Sequence, residues 1–126
     1  MQGIHLTADL THCQCDRAWL TDASRLLERC AWEVVRAGLQ PVNQLAHSFP
    51  ATEQGPGGVT ATVLLAESHL CVHTWPEQRG VTVDVYVCNF GADHSAKAQG
   101  LMDALVALFA PKQALRQVLQ RGSVHG

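Results

Sequence analysis

Val59-Thr60-Ala61-Thr62-Val63-Leu64-Leu65-Ala66-Glu67-Ser68-His69-Leu70-Cys71-Val72-His73-Thr74-Trp75-Pro76-Glu77 is the stretch from which the rest of the chain can be placed. Its first seven residues are an apolar β-type run. Val81 to Val87 is a second such run, with valine at 81, 83, 85 and 87 and Thr82, Asp84 and Tyr86 between them. That alternation suits a strand with one dry face. Gln78-Arg79-Gly80 separates it from the stretch above, so the two strands are predicted to pair as a hairpin. Ala66 to Glu77 also crowds together hydroxyls, two imidazoles, a thiol, an indole and two carboxylates. No core strand needs so many reactive groups, and each costs stability on burial unless it finds a partner. The stretch therefore reads as a site as well as a strand.

Working outward, Ile4 to Leu10 alternates in part and reads as a first strand, followed by a loop from His12 to Asp16. Cys13-Gln14-Cys15 beside His12 has no second cysteine pair at zinc-site spacing, which favours a polar loop carrying small thiols. Thr21 or Asp22 caps a helix that runs to about Ala37 and stops at Gly38. Ala23, Leu26, Leu27, Cys30, Ala31, Val34 and Val35 give it an apolar face that needs a sheet to cover; Trp32 falls off that stripe. Pro41 to Phe49 is a weak strand, and the Pro- and Gly-rich Pro50 to Gly58 is a loop. Gly57-Gly58 is not a phosphate loop, since no Gly-Lys-Ser/Thr follows and a strand comes next. Asn89 to Ala92 is a loop. Asp93 or Ser95 caps a second helix to Ala110, with Ala98, Leu101, Met102, Leu105, Leu108 and Phe109 on its apolar side and Pro111 ending it. Gln113 to Arg121 fits a short helix or a strand. The order β-α-β-β-β-β-α predicts a two-layer α/β sandwich, a mainly antiparallel sheet with helices on one face, forming one domain over residues 1–126.

Charge and composition narrow the function. With 9 basic and 11 acidic residues there is no footprint for nucleic acid or an anionic membrane. No apolar run approaches a membrane span, and Met1 to His5 lacks a charged-then-apolar leader, so a cytoplasmic protein is expected. Five cysteines, Cys13, Cys15, Cys30, Cys71 and Cys88, argue against a disulfide framework.

Glu67-Ser68-His69, then His73-Thr74-Trp75-Pro76-Glu77, Val83-Asp84-Val85 and Cys88, resembles the small prokaryotic S-adenosylmethionine decarboxylase proenzymes. Gly3 to Asp9 is similar to that family's first strand and His47-Ser48-Phe49 to its strand before the loop. The resemblance implies self-cleavage after Glu67 into residues 1–67 and 68–126, with Ser68 converted to a pyruvoyl group. It implies that His73 handles protons in processing, that Thr60 supplies an assisting hydroxyl, and that Cys88 protonates the product. Glu77 matches the glutamate that binds the two ribose hydroxyls of the substrate. Phe49 matches an aromatic position associated with adenine, and Trp75 joins the same substrate site. A further strand over Gln113 to Arg121, a homodimer of processed protomers and a place in polyamine synthesis are implied as well.

The residues support this chemistry on their own terms. Decarboxylating an amino acid leaves an electron pair on Cα, and a carbonyl that captures the amine as a Schiff base is the sink it needs. Lys97 and Lys112 are the only lysines, at or beyond the second helix, and no phosphate cradle is visible, so pyridoxal phosphate is not expected and no metal is needed. A serine Oγ that attacks the carbonyl of Glu67 turns the peptide into an ester, and β-elimination then cuts the chain. An imidazole suits that proton traffic. Ser68 and His73 differ by an odd number, so a regular strand would point them to opposite faces; a bend or bulge near Ser68 is predicted.

Other readings stay open at this level. His69, Cys71 and His73 share a strand face and could ligate zinc, with Cys88 or Asp84 as a fourth ligand. That leaves Glu67-Ser68 and Thr74 to Glu77 unexplained. A processing-dead homologue is disfavoured because Ser68, His73 and Cys88 are all present. Arginine or ornithine would need the same carbonyl chemistry in a different pocket, and Glu77 would pair with their cations as readily as with hydroxyls. Gln78-Arg79-Gly80, Asn89-Phe90-Gly91 and the long Pro50 to Gly58 loop depart from the family pattern. Phe49 fits ring stacking and core burial equally.

Overall fold

A computed structural model describes residues 1–89 and 91–122 of the chain; Phe90 and residues 123–126 lie outside the described residues. Strand β1 (Gly3–Cys13) is followed by a short helix α1 (Ala18–Thr21) and helix α2 (Ala23–Arg36). Next come β2 (Asn43–Ser48), β3 (Val59–Leu64), β4 (His69–Trp75), a 3-10 turn (Pro76–Gln78) and β5 (Gly80–Cys88). Helix α3 (Ser95–Phe109) and β6 (Pro111–Arg121) complete the order. The strands form one antiparallel sheet in the order β2-β3-β4-β5-β1-β6.

The valine alternation dictates how the layers stack. Val81, Val83, Val85 and Val87 are buried together with Ile4, Leu6, Ala8 and Leu10 of β1, Leu70 and Val72 of β4, and Val59, Ala61 and Val63 of β3. Leu26, Cys30 and Val34 of α2 and Leu101, Met102, Leu105 and Phe109 of α3 close that core. The two-layer sandwich with helices on one face is thus as the sequence predicts. Among the described residues the opposite face bears no helix; it carries His5, Thr7, Asp9, Thr60, Thr62, His69, Cys71, His73, Thr82, Asp84 and Tyr86.

Several boundaries differ from the sequence reading for identifiable reasons. β1 continues through Cys13 because its last residues pair with Gln113 and Pro111 of β6. Those bonds also settle the ambiguous Gln113 to Arg121 segment as strand. Pairing supplies the order that its weak alternation does not. Asp22 caps α2 by accepting a hydrogen bond from the Arg25 backbone N–H at 3.1 Å. The buried stripe of α2 is Leu26, Cys30, Glu33 and Val34, whereas Val35 is 59 % exposed. Glu33 replaces Val35 there because positions seven and eight after Leu26 return to its face and position nine does not. Arg29 and Arg36 hold the buried Glu33 carboxylate, at 3.1 and 3.9 Å. Trp32 lies outside the core, between the guanidiniums of Arg29 and Arg36.

Arg79 closes the hairpin between β4 and β5 in the left-handed region, at φ 46°. Its guanidinium donates to the carbonyl oxygens of Cys13 and Cys15, tying the hairpin to the end of β1. Arg79→Ala strands both carbonyls, and a loss of about 2 kcal/mol is expected for these charged hydrogen bonds. A urea titration checks it: the midpoint falls with an unchanged slope.

Candidate functional site

Leu64 pairs with His69, so the chain reverses in the four residues between β3 and β4. The Leu65 N–H donates to the Ser68 carbonyl at 2.8 Å to close the turn. Ala66 sits at φ 65°, a conformation that costs an alanine about 1–2 kcal/mol. The predicted bend is therefore real, and it places a strained residue immediately before the Glu67–Ser68 peptide. Ser68 Oγ accepts a hydrogen bond from the Cys88 backbone N–H at 2.9 Å. That bond leaves the hydroxyl proton free to be given up. A cavity of about 540 Å3 opens here, lined by Glu67, Ser68, Val87, Cys88 and the segment Gly38 to Val42. His94 lines it too, and its buried Nδ1 has no partner among the described residues.

Toward the open face of the sheet, Glu67 and Ser68 share a second cavity of about 430 Å3 with Leu64, His69, Tyr86 and Arg121. His5 packs edge-on to both His69 and Tyr86, with centroids 6.2 and 6.0 Å away. His5 Nδ1 stands 3.2 Å from Arg121 Nη1, and Nε2 stands 3.1 Å from Asp84 Oδ1. Arginine only donates, so His5 accepts at Nδ1 and donates from Nε2 to the carboxylate. Burial first, and then the neighbouring His5, hold the His69 imidazole below its usual pKa.

The other predicted residues assemble elsewhere. Thr60 Oγ1 is 3.0 Å from His73 Nδ1, and the two are directly paired across β3 and β4. They line a cavity of about 330 Å3 with Phe49, Trp75, Glu77 and the loop residues Pro50, Thr52, Gln54 and Pro56. Phe49 is 50 % exposed and meets His47 edge-on at 4.8 Å, so the core-burial reading of Phe49 is wrong. Gly57 and Gly58 are what bring this loop in. A Cβ at either would lie 2.1 Å from the carbonyl oxygen of Phe49 or Thr74, respectively. Thr74 anchors the base of the site, accepting from the Val59 N–H at 2.8 Å and donating to the Leu20 carbonyl at 2.7 Å.

Ser68 and His73 are not brought together within one chain. β4 is paired without interruption from His69 to His73, and at the rise of a strand five residues separate the Ser68 and His73 backbones by about 16 Å. The two residues line different cavities. His69, Cys71 and His73 do share the open face as their parity predicts, but each is turned to a different neighbour. His73 contacts Thr60, Cys71 Sγ lies 3.4 Å from Thr62 Oγ1, and His69 packs on Tyr86. Asp84 is taken by His5, and no trio of metal-binding side chains converges among the described residues. Sequence reasoning missed the working surroundings of His5, Tyr86, His94 and Arg121. The signal for His5 is its parity with Thr7 and Asp9 on the polar side of β1; Arg121 becomes visible only through the pairing of β6.

Comparison with known proteins identifies the family. A family profile described as S-adenosylmethionine decarboxylase matches residues 4–122. The S-adenosylmethionine decarboxylase proenzyme of Aquifex aeolicus is 37 % identical over 123 residues, covering 97 % of this chain and 82 % of that protein. The proenzyme of Persephonella marina is 35 % identical over 123 residues, covering 97 % and 84 %. The crystal structure of the Aquifex aeolicus adenosylmethionine decarboxylase superposes with a TM-score of 0.79 at 33 % identity, covering 98 % of this chain and 92 % of that one. Alike in fold and in extent, the chain belongs to the S-adenosylmethionine decarboxylase family.

Proposed function

We propose that this protein cuts itself between Glu67 and Ser68, converts Ser68 to a pyruvoyl group, and decarboxylates S-adenosylmethionine for polyamine synthesis. The observation that carries the reading is the turn at Ser68. A strained Ala66, an exposed Glu67 and a serine hydroxyl held by the Cys88 N–H are what an attack of Oγ on the preceding carbonyl needs. The residues around Ser68 fit a pyruvoyl group, which, once formed, supplies the electron sink for loss of CO2. Cys88 lies beside it and gives the proton that Cα requires.

The half-site formed by Phe49, Trp75 and Glu77 supports the substrate. Two exposed aromatic side chains offer faces for a purine, and a carboxylate beside them can accept from both hydroxyls of a ribose. A carboxylate alone would suit a guanidinium equally; the aromatic pair tips the choice to a nucleoside.

A homodimer of processed protomers completes the site. The proton chemistry at Ser68 needs an imidazole, and the chain's own His73 is too far away. The helix-free sheet face also exposes Leu45, Leu64, Leu115 and Leu119, each between 45 % and 74 % accessible, as a surface awaiting a partner. A two-fold axis lying between two such faces, perpendicular to the strands of β4, would set the Ser68 end of one chain against the His73 end of the other, and do so twice.

The test is CO2 release from carboxyl-labelled S-adenosylmethionine, arginine, ornithine and lysine. Label is expected from S-adenosylmethionine alone; release from arginine or ornithine alone overturns the substrate. Cys88→Ala is expected to cut normally yet turn over about 100-fold more slowly, as for loss of a general acid. It also inactivates progressively as the misplaced proton converts the pyruvoyl carbonyl to an amine, which intact mass reads directly.

A further inference from the structure

Self-cleavage places a new charge that the site has to accommodate. When the ester between Ser68 Oγ and Glu67 eliminates, the Ser68 Cα loses its proton and the Cβ–Oγ bond breaks. Glu67 departs with Oγ as a free α-carboxylate, and position 68 is left as dehydroalanine. Glu67 then bears that carboxylate beside its own side-chain carboxylate. Two anions on one residue repel, and a cation facing the leaving oxygens lowers the barrier to their departure.

The structure assigns this task to Arg121, an inference that rests on the self-cleavage reading. Among the residues lining the cavity of Glu67 and Ser68 toward the open face, Arg121 is the only lysine or arginine. Its guanidinium is held without being neutralised. One nitrogen donates to the neutral acceptor His5 Nδ1, and the group lies 5.7 Å from the Tyr86 ring centroid. Among the described residues the arginines that pair with carboxylates are Arg29, Arg36 and Arg116, and no acidic side chain forms an ion pair with Arg121. The charge is therefore available to a group formed in the cavity.

The register puts it there. Arg121 pairs with Gly3, Gly3 pairs with Cys88, and the Cys88 N–H holds Ser68 Oγ. Gly3 is the necessary residue in that row, because a Cβ there would meet the Val87 carbonyl oxygen at 2.5 Å and the Tyr86 ring at 3.0 Å. Asp84 orients His5, and His5 in turn orients Arg121, so the carboxylate of this relay stays one imidazole away from the guanidinium. His5 and Asp84 are positioning residues; Arg121 faces the reacting atoms.

Arg121→Gln and Arg121→Lys, followed by intact mass with time after purification, test the assignment. Hydroxylamine, which cleaves the ester but not the peptide, reports the intermediate. Arg121→Gln is expected to cut about 100-fold more slowly, the scale for removing one charge-stabilising donor. It should also accumulate a hydroxylamine-sensitive chain that yields residues 1–67 and 68–126, which shows that it folds and reaches the ester. Arg121→Lys should recover most of the rate. Wild-type cutting by Arg121→Gln, or slow cutting with no ester, overturns the role of Arg121 while the self-cleavage reading stands. A wild-type chain that never cuts removes both.

Discussion

Replacing Ser68 by alanine is expected to leave a single uncut chain with no decarboxylase activity, where the wild type yields two fragments. The effect is all-or-none because nothing else in the turn can take the place of the missing oxygen. Glu67 offers only a carboxylate beside its own carbonyl, and His69 points to Tyr86 and His5 on the open face. The fold should survive. Ser68 Oγ accepts one hydrogen bond, from the Cys88 N–H, and losing it costs about 1 kcal/mol. The turn itself is closed by backbone, through the Leu65 N–H and the Ser68 carbonyl. Intact mass after prolonged incubation, with a thermal melt in parallel, separates loss of chemistry from loss of structure. Cleavage of Ser68→Ala into residues 1–67 at the wild-type mass and 68–126 beginning with an unblocked alanine would show that Ser68 is not the nucleophile.

Much of this fold could be read from local pattern, because its core is built from local pattern. The valines of β5 and the spacing of Leu101, Met102, Leu105 and Phe109 in α3 each declare one face without help from a neighbour. β6 could not be read in that way. Most of it is exposed on both faces, and its order comes from pairing with β1 at the other end of the sequence. Arg121 was hidden with it. The same limit applies to Arg79, whose departure from the family's turn looks like a change of substrate pocket. Its side chain is instead spent on the Cys13 and Cys15 carbonyls, away from Phe49 and Glu77, so it carries no information about the substrate. Ser68, His73 and Cys88 were named by resemblance, and parity called for a bend at Ser68 to bring it to His73; the turn exists because Ser68 lies between β3 and β4, and it does not unite the two. Their division into two clusters was not legible, since spacing along one strand says nothing about a second chain.

That division leads to the most demanding expectation. His73→Ala alone should stay uncut, as should Ser68→Ala alone, yet the two chains produced together should yield cut protein. In the mixed dimer, one site combines Ser68 of the His73→Ala chain with His73 of the Ser68→Ala chain, and both groups needed for processing are present. The other site combines the two alanines and is dead. Each mixed dimer therefore makes one cut, always in the His73→Ala chain, so the 68–126 fragment carries the mass of the His73→Ala change. Random pairing at equal expression puts about half of the His73→Ala chains into mixed dimers, which sets the ceiling on the cut fraction for an isologous interface. Rescue from none to about half is a change that residual activity of either variant does not imitate. A chain that processes itself with its own His73 gives no rescue under any mixing ratio, and that result would return the imidazole to the protomer whose serine it serves. The roughly 16 Å that separate the two residues along β4 argue for the first outcome, because a strand already bonded on both sides, to β3 and β5, cannot fold back to close such a gap.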